Sequence, residues 1–148
     1  MRRILSLFIS IILLISTAIS VSATSQDDFV LYKENILEDG ITYTDEITIY
    51  SYGRATQKKA ELKRTFTRDN TTIAVIAYEA VFQYDGSTVS VLSKTITQTD
   101  TYNNWNFKQS SFTSSGGTVT LTGSLKKLLV LNVPVNLTLT CDKNGNIS

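Results

Sequence analysis

The sequence contains no histidine and a single cysteine, and these absences exclude much of enzyme chemistry. Without histidine the chain cannot build Ser/His/Asp or Cys/His triads, nor use an imidazole as a general base. Ordinary zinc sites need several histidine or cysteine ligands, so we expect no metal site. Glycine-rich phosphate loops and nucleotide-binding fingerprints are missing as well, so we expect no cofactor. The sequence favours a non-enzymatic protein.

Proline is nearly absent, occurring once at Pro134, whereas threonine and other β-branched residues are abundant and alternate with a period of two. The length of 148 residues suits one domain, and 42% hydrophobic residues exclude general disorder. These features predict an all-β protein. We expect a single-domain antiparallel β-sandwich, immunoglobulin-like in shape, over residues 41–148, with a small β-barrel as the alternative.

The first 23 residues have the pattern of a secretory signal peptide. Arg2 and Arg3 precede an apolar run that ends near Ile19, and Val21-Ser22-Ala23 supplies the small residues of a cleavage site. An uncleaved membrane anchor is the alternative, because the run is nearly long enough to span a bilayer. Cleavage predicts a soluble, extracellular chain from Thr24 that has no membrane attachment.

The charges of the mature chain are balanced overall but unevenly distributed. Removing Arg2 and Arg3 leaves 12 basic residues against 13 acidic, a net charge near −1 that disfavours nucleic acid as a partner. Residues 24–53 hold one lysine and seven acids, whereas residues 54–68 hold six cations and only Glu61. The six cations are Arg54, Lys58, Lys59, Lys63, Arg64 and Arg68.

We interpret this basic stretch, with Tyr50 and Tyr52 nearby, as a candidate binding site for an anionic cell-envelope or host polymer. The alternative is that the acidic and basic segments form adjacent strands whose side chains pair. A second functional hypothesis is a protein–protein effector, such as an inhibitor or toxin-like factor, that presents a sheet edge or the loop predicted at Ser110–Gly117.

The clearest structural signal is a β-hairpin. Thr72–Tyr84 alternates as a long strand, Asp85-Gly86 predicts a two-residue type I′ turn, and Thr88–Thr97 returns. Both faces of the first strand are largely apolar, which predicts a central strand covered on both sides. Residues 24–40 form a lead-in in which Asp27–Asp39 favours a short helix or irregular chain over a strand.

Several single residues also invite prediction. Pro134 indicates a bulge or an edge strand. Cys141, the last residue of an alternating apolar set, predicts a buried free thiol, and Asp142–Asn146 predicts a turn rather than a calcium loop. Trp105 predicts core packing, which leaves Tyr102 with the two earlier tyrosines as surface candidates for sugar stacking.

Glu79 lies in the middle of an apolar strand face, where a desolvated carboxylate could act as a general acid. No motif supplies it with a catalytic partner. We instead expect Glu79 to be exposed at a sheet margin or paired with a cation such as Lys94 or Lys108.

The second half of the chain resembles a group of small secreted proteins of Gram-positive bacteria that have no assigned activity. The resemblance covers about residues 60–148 and rests on Thr72–Ala74, Tyr84-Asp85-Gly86, Trp105 and the terminal segment Thr138–Ser148. It implies a secreted β domain and supplies no catalytic residue. Those proteins often carry a second cysteine near the position of Val91, so this chain departs from them and leaves Cys141 without that partner.

Overall fold

The computed structural model describes residues 29–37, 40–51, 56–128 and 131–148, and the predicted signal peptide lies outside these ranges. The described residues form eight strands in two antiparallel sheets. The strands are β1 (Phe29–Ile36), β2 (Ile41–Ser51), β3 (Gln57–Arg68), β4 (Thr71–Tyr84), β5 (Val89–Thr101), β6 (Trp105–Ser115), β7 (Thr118–Lys127) and β8 (Leu131–Thr140).

The five-stranded sheet has the order β1-β2-β3-β4-β5, and the three-stranded sheet has the order β6-β7-β8. The sheets pack against each other without closing into a barrel, so the predicted β-sandwich is confirmed. Within each sheet every strand pairs with its neighbours in the chain, which makes both sheets meanders. The connectivity therefore lacks the Greek key of immunoglobulin domains.

The core lies between the two sheets and is built by alternation. On β3, Leu62 and Phe66 are buried, and on β8, Leu137 and Leu139 are buried, because every second side chain of a strand faces the opposite sheet. Trp105 and Cys141 are buried as well, as predicted, and Cys141 is a free thiol. Burial raises the pKa of this thiol above its ordinary value.

The segment predicted to be a short helix or irregular lead-in is strand β1, and the prediction was wrong. Phe29 is in register with Ile49, and Leu37 N–H donates to the Ile41 carbonyl at 2.7 Å. β1 pairs with β2 over its whole length, from Phe29 opposite Ile49 to Ile36 opposite Thr42. This backbone pairing outweighs the helical spacing of Phe29, Tyr32 and Ile36.

Strand β4 lies between β3 and β5, but the second sheet covers only one of its faces. Tyr78 points into the core, where its hydroxyl donates to the Val119 carbonyl at 3.0 Å. On the opposite face Val75 and Val81 are half-buried, so the prediction of cover on both sides was wrong. These outward residues are small or β-branched, and neighbouring side chains within the sheet shelter them.

The predicted β4–β5 hairpin is confirmed, but its loop lies one residue later than predicted. Asp85 N–H donates to the Thr88 carbonyl at 3.2 Å, which centres the loop on Gly86 and Ser87. Gly86 has a φ of 85° and Ser87 has a negative one, the pattern of a type II′ turn rather than type I′. The Asp85 carboxylate accepts the backbone N–H groups of Thr88 and Ser87, at 2.6 and 2.8 Å, and these bonds lower its pKa.

The loop predicted at Ser110–Gly117 is mostly strand. β6 continues to Ser115 and is followed by a tight turn at Gly116 and Gly117. A register shift between Gln109 and Ser111 bends β6 without ending it. The serines and threonines here alternate across a strand, a pattern that composition alone does not distinguish from a loop.

Pro134 lies on β8, an edge strand that pairs with β7 in continuous register, so Pro134 marks an edge and not a bulge. Cys141 N–H donates to the Gly117 carbonyl at 2.8 Å. Hydrogen-bonded pairs alternate along an antiparallel ladder, so odd-numbered residues of β8 bond to β7 and even-numbered ones face the free edge. The missing N–H of Pro134 therefore costs the sheet no hydrogen bond.

Candidate functional site

The predicted basic stretch is divided between two faces of β3. Ala60, Leu62 and Phe66 face the core, and Arg64 shares their side. Lys59 and Lys63 alternate with them and lie on the outer face, which we define as the face of the five-stranded sheet turned away from the three-stranded sheet. Arg68 lies at the end of the strand. Two candidate residues, Tyr52 and Arg54, lie outside the described residues.

Arg64 is held inside the sandwich by a carboxylate of the neighbouring strand. Its Nε and Nη2 donate to the two carboxylate oxygens of Asp45, at 2.5 and 2.6 Å, and Nη1 donates to the Asn136 carbonyl at 3.0 Å. The guanidinium also lies 3.8 Å from the centre of the Tyr43 ring. With 8% of its surface exposed, Arg64 is a structural residue rather than a free cation.

The outer lysines are paired too. Lys63 Nζ lies 2.8 Å from Glu46 Oε2, and Lys59 Nζ lies 2.5 Å from Glu79 Oε2. A hydrogen bond to its carboxylate partner raises the pKa of each lysine. The alternative interpretation, in which acidic β2 and basic β3 pair across the sheet, therefore describes Arg64 and Lys63.

Glu79 has the paired environment expected of it, but its cation is Lys59 on β3. From the sequence, Lys94 or Lys108 was predicted as this cation. Lys94 donates to the Phe112 carbonyl at 2.6 Å, and Lys108 lies on β6 of the other sheet.

Lys58 also has interaction partners, a backbone carbonyl and an aromatic ring. Its Nζ donates to the Gly145 carbonyl at 2.6 Å and lies 5.9 Å from the centre of the Tyr84 ring. Among the described cations of the basic stretch, Arg68 differs from the other four. Its carboxylate neighbour is the exposed Asp69, whose Oδ2 lies 4.0 Å from Arg68 Nε.

Arg68 lines a small concavity at the end of the sandwich. This concavity has a volume of about 210 Å³ and receives side chains from both sheets. Its lining is Arg68, Asp69, Thr71, Ile73, Asn103, Trp105 and Lys127. Lys127 ends β7 and lies 6.0 Å from the Trp105 ring centre. Sequence reasoning missed Lys127 because nothing local links it to the basic stretch.

A second, larger concavity adjoins the first on the outer face. It has a volume of about 510 Å³, and Thr71 and Asn103 line both concavities. The lining residues are Thr65, Thr71, Thr72, Val75, Tyr102 and Asn103, none of them charged. Tyr102, one of the predicted surface tyrosines, is 45% exposed. The two concavities meet at the ridge formed by Thr71 and Asn103, which we call the shared ridge.

Local chain geometry fixes the rim of both concavities. The β3–β4 turn has positive φ at Asp69 and Asn70, and the β5–β6 turn has it at Asn103 and Asn104, a conformation that these residue types tolerate. Tyr102 N–H donates to the Ile73 carbonyl at 2.9 Å. The aromatic residue of the larger concavity is therefore anchored to β4 rather than carried by a free loop.

A register shift beside Phe66 explains how adjacent residues of β4 line different concavities. Thr67 pairs with Thr72, whereas Phe66 pairs with Ala74, so Ile73 is an extra residue on β4. The extra residue of a β-bulge interrupts the alternation of side chains along the strand. Residues before the bulge therefore lie on the opposite face of the sheet from the one that the pattern after it predicts. Thr72 consequently lines the outer concavity, and the buried Ile73 lines the one at the sandwich end.

The run after Cys141 forms the predicted turn. The Asp142 carboxylate accepts the backbone N–H groups of Asn144 and Asn146, at 2.8 and 2.9 Å, and the Asn146 side-chain amide at 2.7 Å. These bonds, those from Asn146 foremost, lower the pKa of Asp142. Within the described ranges, no group of three or more His, Cys, Asp or Glu residues converges to hold a metal ion.

No helix in the part of the chain that the structure describes is long and apolar enough to cross a membrane. Comparisons with protein-family models, with curated proteins and with solved structures gave no match to this chain.

Proposed function

We propose that this chain is a secreted, non-enzymatic protein that binds an anionic polymer of a cell envelope or host at the end of the sandwich bearing Arg68 and Lys127. The observation that carries the proposal is that these two cations, from different sheets, line one concavity. Asp69 is the one carboxylate in the same lining, so the concavity keeps a net charge of +1. Two cationic side chains in one concavity suit a carboxylate, sulfate or phosphate group.

The paired cations of β3 support this location over the rest of the basic stretch. Lys59, Lys63 and Arg64 each have a carboxylate within 2.8 Å, so a polymer would have to displace that partner first. Arg68 requires no such exchange, because its separation of 4.0 Å from an exposed carboxylate corresponds to a weak surface pair.

The test is cosedimentation of the purified protein with cell-wall particles and with an insoluble acidic polysaccharide at low and high salt. Arg68→Gln/Lys127→Gln should abolish a salt-sensitive binding that wild type shows. The matched control is Lys59→Gln/Lys63→Gln, which removes the same charge from the outer face and should retain binding. The reverse result would place binding on the outer face, and no sedimentation of wild type at low salt would end the proposal.

The second candidate function is protein binding by strand addition, and a specific observation on β1 favours it. Odd-numbered residues of β1 bond to β2, as Leu37 and Ile41 show, so Tyr32, Glu34 and Ile36 direct their backbone groups to an edge with which no other described strand pairs. The side chains of Tyr32 and Ile36 are 70% and 82% exposed. An open edge with exposed apolar side chains is a template for a partner strand.

The salt dependence of binding and the effect of a proline substitution in β1 distinguish the two candidate functions. Binding of a protein target by strand addition should be stoichiometric and little changed by salt, and Glu34→Pro should weaken it because proline removes an outward N–H. Glu34→Gln, which keeps the N–H, is the control. Strongly salt-dependent binding that Glu34→Pro leaves intact would count against this second function.

A further inference from the structure

The two concavities at the sandwich end differ in chemistry, and the difference bears on the kind of polymer that fits. The smaller one presents two cations and one carboxylate. The larger one presents hydroxyl groups, one amide and one aromatic ring, without a charged side chain. A ligand that fills both must therefore carry an anionic group next to a polar, uncharged part.

The larger concavity has the features of a sugar subsite. Tyr102 lines this concavity and is 45% exposed, and the C–H face of a sugar ring packs well on an accessible aromatic side chain. The hydroxyls of Thr65, Thr71 and Thr72 both donate and accept hydrogen bonds, as does the Asn103 amide, which suits sugar hydroxyls. The concavity is shallow and open to solvent, and its volume of about 510 Å³ leaves room for one sugar ring held against its surface.

A sugar-free polyanion fits this arrangement poorly. A polyphosphate chain has no apolar face for Tyr102, and the larger concavity would give its next phosphate no cation. Asp69 would also repel a second closely spaced negative charge in the smaller concavity, whereas it can accept a hydrogen bond from a sugar hydroxyl.

We propose that the ligand is an acidic polysaccharide, bound so that one sugar ring packs on Tyr102 while the acid group of the adjacent sugar lies between Arg68 and Lys127. The chain crosses the shared ridge, where Thr71 and Asn103 contact both units. This inference rests on the proposed function and names the ligand class of the same site. Because the two subsites are separate, recognition needs at least two linked sugars.

The test uses defined probes: galacturonic acid, its dimer and tetramer, inorganic polyphosphate and a neutral glucan. Trp105 is the single tryptophan and lines the smaller concavity, so its fluorescence reports binding there. The dimer should bind at least about tenfold more tightly than the monomer, which corresponds to about 1.4 kcal/mol for the second subsite. Polyphosphate should bind more weakly than the tetramer, and the neutral glucan should not bind.

Two single variants separate the subsites. Tyr102→Ala should weaken tetramer binding by about three- to tenfold, the range expected for loss of one aromatic contact, and should leave monomer binding unchanged. Arg68→Gln should weaken both. Tyr32→Ala, which removes another exposed tyrosine at the far edge of the sheet, is the matched control and should have no effect. Thermal melts of each variant establish that the fold is retained.

The outcomes distinguish this inference from the function on which it rests. If polyphosphate binds as tightly as the tetramer and Tyr102→Ala changes nothing, the saccharide inference fails while anion binding at Arg68 stands. Equal binding of monomer and tetramer likewise removes the second subsite. If no acidic probe binds wild type, the proposed function itself fails.

Discussion

Arg64 and Asp45 face each other across β3 and β2, joined by two parallel hydrogen bonds of 2.5 and 2.6 Å inside the sandwich. A third bond, from Arg64 Nη1 to the Asn136 carbonyl, connects this pair to the free edge of β8 in the other sheet. The single arginine thus links three strands and both sheets. Its partners satisfy a buried charge that would otherwise oppose folding.

Asp45→Ala should destabilise the protein strongly because it leaves the Arg64 guanidinium buried without its carboxylate. We expect the free energy of unfolding to fall by about 3 to 5 kcal/mol. Urea denaturation measures this change. Glu46→Ala removes the neighbouring but more exposed pair with Lys63 and should cost at most about 1 kcal/mol. Equal effects of the two variants would contradict the structural role given to Arg64.

Gly117→Ala should be more harmful than Gly116→Ala. A Cβ at Gly117 would lie in steric conflict with the Cys141 carbonyl oxygen and both Val89 methyl groups, so the backbone or the sheet packing must shift, at about 2 to 3 kcal/mol. Gly116 has open space around it, and alanine there meets only the cost of a positive φ of 55°, about 1 to 2 kcal/mol. Melting temperatures of both variants check the order, and the reverse order would refute it.

Stability should decline at alkaline pH through Tyr78. Burial raises the pKa of its phenol above the ordinary value near 10. Below that ordinary value the phenol is protonated in both states and its contribution to stability is complete. Above it the unfolded chain loses the proton while the folded chain retains it, so the free energy of unfolding falls as pH rises.

The measurement is urea denaturation between pH 8 and 11. Tyr78→Phe removes the hydrogen bond to Val119 and should lower the free energy of unfolding by about 1 kcal/mol at neutral pH. Its free energy of unfolding should then decline less steeply with alkaline pH than that of wild type. Parallel curves for the two proteins would assign the decline to other groups.

Pro134→Thr should promote self-association. The free edge of β8 is blocked at three of its outward positions. Pro134 has no N–H to offer, the Asn136 carbonyl accepts from Arg64, and Thr140 exchanges two hydrogen bonds with Ser148. Threonine at Pro134 restores a donor on this edge. Sedimentation velocity at increasing concentration should show larger species for the variant, whereas Asn132→Thr, a second outward position, should remain like wild type.

The strand pattern of the sandwich could be predicted from sequence, because burial on one side imposes a period of two that survives in residues such as Leu62, Phe66, Leu137 and Leu139. β1 could not, since its strand conformation depends on its pairing with β2 rather than on the pattern of its own side chains. Arg64 fell in the apolar row of β3 with Ala60 and Phe66, which was a visible signal of burial. Its partner depends on strand register, which the sequence does not specify.

The candidate site was predictable only in fragments. Arg68 belonged to the basic stretch and Tyr102 to the surface tyrosines, but no local pattern joins them. Lys127 had no signal at all. Their proximity arises from the packing of two sheets and from one extra residue at Ile73, and both are tertiary effects.

The meander connectivity has a consequence for how the chain acquires its structure. Because each strand within a sheet pairs with the one just before it, both sheets can grow hairpin by hairpin as successive segments become available. Only the docking of β6-β7-β8 on the larger sheet brings together segments that are distant in the chain. Topologies with short connections reach the native state faster than Greek keys of similar size. A protein built this way can begin to assemble before its last strands are available, and its single cysteine means that no disulfide within the chain has to form first.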